Sequence, residues 1–95
     1  MHAAIRRYVD NTELADRLNE HAAEVRDLIS GIEGFHAYYL VRGHDSTVSV
    51  SIFDDAAGAE ESSRVAAAWM KENLPELAAE PPRASVGEIV IAVTR

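Results

Sequence analysis

A chain of 95 residues with 9 basic and 16 acidic side chains, hence a net charge of −7, and with 47% apolar composition describes one folded domain over 1–95 built on a single core. No apolar stretch approaches the roughly 20 residues that span a bilayer, and no leader-like hydrophobic run follows Met1. No cationic cluster exceeds Arg6-Arg7, and there are no cysteines; the sequence is therefore expected to be cytoplasmic, to use neither membrane nor nucleic acid as a partner, and to do without thiolate metal sites or a cysteine nucleophile.

Residues 2–9, with Ile5, Tyr8 and Val9 ahead of Asp10-Asn11, predict a first strand. Asp10 stands three residues before Glu13, the spacing of a capping box, and Val9 and Leu14 are placed as a hydrophobic staple. A helix is expected from there through residue 30, its apolar stripe running Leu14, Leu18, His21/Ala22, Val25, Leu28/Ile29 and its C-cap at Gly31. The aromatic and β-branched run 35–42 predicts a second strand, Gly43-His44-Asp45-Ser46 a hairpin loop, and the alternating run 47–53 a third strand. Asp54-Asp55 places negative charge where a second helix begins, and Ala56 through Asn73 is rich in helix formers, with Gly58 its weak point. Pro75 and Pro81-Pro82 bracket an irregular link to a last strand over 84–93.

A β-α-β-β-α-β order predicts an α+β, ferredoxin-like domain: a four-stranded antiparallel sheet with both helices on one face. Such a sheet ordinarily keeps its other face wet and alternates apolar with charged residues. Here one side of 35–41 offers Phe35, Ala37, Tyr39 and Val41 and the other His36, Tyr38 and Leu40, while 47–53 sets valines and an isoleucine against hydroxyls with no charge on either side. Two helices cover one face, so the other is expected to press against a second copy, sheet facing sheet, in a homodimer.

The residues that carry chemistry are few. His36 and Tyr38, two apart on a strand, are expected to share a face as an acid/base pair near neutral pH, or equally to serve as interface side chains. Trp69, the only tryptophan, shares a helical face with Ser62, Val65 and Asn73; it either stacks on a planar ligand or packs in the core. Arg6 and Arg7 point to opposite faces of a strand covered on both sides, and a buried guanidinium needs a partner: Glu88, a dimer-mate carboxylate or an anionic ligand. His21 reads as structural or solvated, and His2 and His44 as exposed. The histidines lack metal-binding spacing, and no phosphate loop, dinucleotide fingerprint or nucleophile elbow is present, so no metal and no cofactor is expected.

With this strand order, Gly34-Phe35 opening the second strand, Val48-Ser49-Val50-Ser51-Ile52-Phe53-Asp54-Asp55 running into the second helix, Ala66-Ala67-Ala68-Trp69 within it and Gly87-Glu88-Ile89-Val90 near the end, nearly the whole chain resembles the antibiotic biosynthesis monooxygenase (ABM)-like family of the dimeric α+β barrel superfamily. That resemblance implies a dimeric barrel and, among the family's activities, a cofactor-independent monooxygenase or isomerase acting on an aromatic or polyketide-like small molecule. Trp69, Asn73 and Arg6 or Arg7 match the side-chain types the cofactor-free oxygenases use, and Ser62, on the helical face of Trp69, is a further candidate for contact with the ligand. The haem-degrading branch uses an Asn on the first strand and a Trp and a His on the second helix, where this chain has Arg6-Arg7, Ser62-Ser63 and Glu72-Asn73, so haem degradation is not expected. The alternative is a non-catalytic small-molecule-binding or stress-associated dimeric module.

Overall fold

Alternation along one strand sets the layering. In the computed structural model, which describes residues 1–95, Thr47, Ser49, Ser51 and Phe53 are buried beneath the helices, whereas Val48, Val50 and Ile52 lie on the helix-free side and are only half-buried. The elements are β1 (His2–Val9), α1 (Glu13–Glu20), α2 (Ala22–Ser30), β2 (Phe35–Arg42), β3 (Ser46–Phe53), α3 (Ala56–Asn73) and β4 (Arg83–Glu88). The strands form one antiparallel sheet in the order β2-β3-β1-β4, with Arg6 opposite Ser49 and Tyr38 opposite Ser51. This is the α+β, ferredoxin-like arrangement. Leu14 and Leu18 from α1, Val25 and Ile29 from α2, and Trp69 and Met70 from α3 close the core over the sheet. No helix is long and apolar enough to cross a membrane.

Four local features depart from the sequence-based expectation. The first helix is two: at His21 (φ −108°, ψ 25°) the helical bond series lapses for one residue. Periodicity is blind to this because Leu14 and Leu18 before the break and Val25 and Ile29 after it bury the same side. Asp10 does not cap the helix; it takes a left-handed conformation (φ 57°) with its N–H bonded to the Asp45 carbonyl at 2.9 Å, and α1 starts after Thr12 with no side-chain cap. A bulge at the start of β2 leaves His36 out of register, because Phe35 pairs with Phe53 and the next paired residue is Ala37, opposite Ile52. Phe35 thereby joins the inner side, edge-on to Phe53 at 5.9 Å, rather than the Ala37, Tyr39 and Val41 side.

The fourth is the last strand, which stops at Glu88 instead of 93. Glu88 stands opposite His2, and Ile89 gives its N–H to the Met1 carbonyl, so β1 offers nothing further to pair with. Val90, Ile91 and Val93 beyond it are 83%, 79% and 88% exposed. On the helix-free face Ile5, Tyr39 and Val41 are likewise exposed, beside Val48, Val50 and Ile52.

The glycine that weakens α3 on propensity grounds is required by packing. A Cβ at Gly58 would lie 2.9 Å from Phe53 Cδ1 and 3.1 Å from the Glu33 carbonyl, and the Gly58 N–H closes the α3 N-cap on Asp55 Oδ1 at 3.0 Å. Gly58→Ala gains about 1 kcal/mol of helix propensity but forces α3 off Phe53, an overpacking that costs about 1–3 kcal/mol. Urea unfolding is expected to show a lower midpoint with unchanged slope, against the propensity scale.

Candidate ligand site around Arg6

Alternation on β1 turns Ala4, Arg6 and Tyr8 toward the helices, and Arg6 is 2% exposed. Its guanidinium is held entirely by hydroxyls. Nε donates to Ser49 Oγ (3.0 Å) and Nη2 to Ser51 Oγ (2.9 Å) on β3, while Nη1 donates to Ser62 Oγ (3.2 Å) and Ser63 Oγ (3.1 Å) on α3. None of the molecule's ion pairs includes it. Glu88 stands opposite His2, at the far end of β1 from this cluster. Hydroxyls accept the guanidinium's hydrogen bonds and orient their dipoles toward it, but they leave the positive charge uncancelled where an unpaired ion costs several kcal/mol. Ser62 Oγ–H donates in turn to the Ala59 carbonyl at 2.7 Å, anchoring this side of the cradle to the α3 backbone.

Three aromatic side chains converge on this cation. Tyr8, Tyr38 and Trp69 line, with Arg6, a cavity of about 20 Å³ between sheet and helices, room for a single water. Burial pushes the phenols of Tyr8 and Tyr38 above the ordinary tyrosine value, and the positive charge of Arg6 offsets part of that rise. Both are therefore neutral hydrogen-bond donors near pH 7. Trp69 is fixed from α2 and its junction: its Nε1–H donates to Glu24 Oε2 at 3.1 Å, and the His21 ring meets its own edge-on at 5.4 Å.

Space opens on both sides of the cavity. A groove of about 380 Å³ on the β2 side shares Leu18, Val25 and Tyr38 with the cavity, so those side chains form the wall between them. On the other side a cleft of about 730 Å³ separates α3 from the link 75–82 and the start of β4, with Arg6, Tyr8 and Ser63 in its lining.

Of the residues singled out from sequence, the structure brings Arg6, Tyr38, Ser62 and Trp69 together. The others lie elsewhere. His36, displaced by the bulge, is exposed and bonds Asp54, so it does not share a face with Tyr38 and the expected acid/base pair is not formed. Arg7 points to the helix-free face, half-exposed, 3.8 Å from Asp45, because the strand is not covered on that side within one chain. Asn73 is exposed and donates to the Trp69 carbonyl at 3.0 Å, one turn back along α3. Sequence reasoning missed Tyr8, Ser49, Ser51 and Ser63. The signal was present: Tyr8 shares the period-two face of Arg6, and a row of hydroxyls facing helices on an uncharged strand marks a polar object under them. No three His, Asp or Glu side chains stand close enough to hold a metal ion.

No protein-family model and no curated relative matches the sequence. In three dimensions the chain is similar to a protein of unknown function from Nitrosomonas europaea, with a TM-score of 0.73, 23% identity, and coverage of 99% of this chain and 93% of that one. It is also similar to an antibiotic biosynthesis monooxygenase candidate from Bordetella bronchiseptica (TM-score 0.71, 18% identity, 95% and 97% covered). A third is a monooxygenase of Streptomyces coelicolor in complex with nanaomycin D (TM-score 0.70, 20% identity, 99% and 91% covered). The chain therefore has the fold of the ABM-like proteins over essentially its full length.

The buried phenols give a titration signature. Tyr8 and Tyr38 are expected to form tyrosinate above the usual 10.0 when followed by ultraviolet absorbance, and Arg6→Met is expected to raise both further by removing the cation that favours the phenolate. Because the folded state holds these protons more tightly than the unfolded chain, their contribution to stability is intact below pH about 10 and is lost as pH climbs through the folded-state values. Denaturation midpoints measured on the alkaline side should fall accordingly.

Proposed function

We propose that this chain is a small-molecule-binding protein of the ABM-like type that works as a homodimer, takes an aromatic or polyketide-like ligand at the Arg6 cluster, and acts on it as a cofactor-independent monooxygenase. The observation that carries this reading is the uncancelled Arg6 charge, buried against Tyr8, Tyr38 and Trp69. A fixed cation in a dry site stabilises a phenolate or enolate oxygen far better than water does. A ring so ionised is electron-rich enough to reduce dioxygen itself. In the net reaction a ring methylene becomes a carbonyl, one oxygen atom enters the product and the other leaves as water, with the substrate as sole reductant. Tyr38 and Tyr8, kept protonated by burial, supply and recover the protons, and Trp69 offers a stacking face. Similarity in fold to a monooxygenase bound to nanaomycin D supports the ligand class.

The homodimer reading draws on the helix-free face. Ile5, Tyr39 and Val41, at 44%, 59% and 49% exposure, join Val48, Val50 and Ile52 in one apolar surface, and the unpaired segment from Val90 to Val93 adds another strand-prone stretch. A self-complementary pairing of this face about a two-fold axis covers it. Light scattering is expected to give twice the 10.4 kDa chain mass, and Val50→Arg, which sets a charge in the middle of the face, to return a folded single chain.

A second reading, a dimeric binding or stress-associated module without catalysis, is favoured by the size of the interior cavity, which holds one water and no ring. Thermal-shift screening against polycyclic phenols, quinols and haem, followed by oxygen uptake with each binder, separates the two. A ligand at a hundredfold excess over its Kd adds about 2.7 kcal/mol of stability. Under the monooxygenase reading the binder also consumes dioxygen, and Tyr38→Phe lowers turnover by about a hundredfold while leaving the thermal shift in place. Binders without oxygen uptake establish the second reading.

A further inference from the structure

The cleft between α3 and the proline-bracketed link has walls and floor of opposite character. Its walls are Ala67 and Met70 from α3, with Pro75, Pro82 and Ala84 across from them. Prolines present no N–H, so this side offers a ligand apolar surface without backbone donors. Lys71 and Glu80, also in its lining, contribute one positive and one negative charge, which sum to zero. What remains is the single positive charge of Arg6 at the floor, which no carboxylate of the chain pairs with.

Not every donor at that floor is used. A guanidinium has five N–H groups; four donate to serine hydroxyls, and the Tyr8 phenol oxygen also stands within hydrogen-bonding reach of the guanidinium. Ser63 Oγ accepts from Arg6 and gives its own proton to no group of the chain, and neither does the Tyr8 hydroxyl. Two hydroxyl donors, Ser63 and Tyr8, and one net positive charge therefore border the same space.

We propose that this cleft binds a monoanion carried on an apolar body, an aromatic or alkyl carboxylate, whose charged group completes the Arg6 cradle while its hydrocarbon lies against Met70, Pro75 and Pro82. The inference rests on the reading of Arg6 as the ligand-facing group and specifies the ligand's charge. A neutral compound of the same shape leaves the guanidinium uncancelled, and a dianion replaces one unpaired charge by another. A carboxylate can accept from the Ser63 and Tyr8 hydroxyls while its charge balances the guanidinium beside them. The space is of the size that small-molecule sites occupy, whereas the cavity on the other side of Arg6 admits a single water.

The experiment compares naphthalene-1-carboxylate with naphthalene-1-carboxamide, which have the same shape and differ in charge, by calorimetry and thermal shift on the full chain. The carboxylate is expected to bind with the amide at least about tenfold weaker, and Arg6→Met is expected to erase the difference. Should Arg6→Met fail to fold, Ala67→Trp, on the exposed side of α3, fills the cleft without entering the core and is expected to abolish carboxylate binding while the variant still unfolds cooperatively. Equal affinity for the two probes, carboxylate binding that survives Ala67→Trp, or no binding of the carboxylate tighter than about 1 mM overturns the proposal. The two readings fail separately. Equal affinity together with quinol-dependent oxygen uptake removes the anion preference and keeps the monooxygenase. Charge discrimination without any oxygen uptake does the reverse.

Discussion

One buried guanidinium organises this molecule. Arg6 connects β1 to β3 through Ser49 and Ser51 and to α3 through Ser62 and Ser63, so the sheet and its longest helix are registered to each other by a charged group rather than by apolar packing alone. Hydrogen bonds to an ionised group contribute more than neutral ones, and their directionality fixes α3 in rotation as well as in distance. The same bonds explain an inversion in the sheet. The hydroxyl face of β3 lies under the helices and its valine face points away from them, the reverse of what hydrophobicity alone assigns to a core strand.

That inversion also decides where apolar surface goes. Because the helix-covered side must accommodate an ion and its hydroxyls, apolar residues accumulate on the helix-free flank as Ile5, Val48, Val50 and Ile52. The core that remains beneath the helices is correspondingly small, with aromatic rings taking up much of its volume, and the phenols of Tyr8 and Tyr38 stay protonated because of that enclosure.

Strand order, α3 to the residue, and the hairpin loop expected at 43–46, whose Ser46 the structure gives to β3, were legible in the sequence because each is written in a strong local pattern: period two in 47–53, a helix-forming run between Asp55 and Asn73, glycine and Asp in a turn. Besides the left-handed Asp10 that does not cap α1, three features were not. A one-residue lapse at His21 leaves the helical period intact on both sides, and a bulge at His36 shifts two facing residues without altering composition. The end of β4 depends on where its neighbour runs out, a fact that no property of 89–93 encodes. Half of the site was visible, as Arg6, Tyr38, Ser62 and Trp69. The other half consists of serines and a tyrosine whose roles exist only once β1, β3 and α3 meet. His36, chosen for its chemistry, was lost to the bulge, and Arg7 to strand alternation.

Trp69 is the sole tryptophan of the chain, and it sits at the inner wall of the cavity with a carboxylate on its indole nitrogen and an imidazole at its edge. All long-wavelength fluorescence of the protein therefore originates at one position, in contact with the space bordering Arg6. The molecule carries an intrinsic optical reporter of what happens there: a change in local polarity, or an outward swing of the neighbouring Leu18 or Val25, alters the emission without any dye or label being introduced.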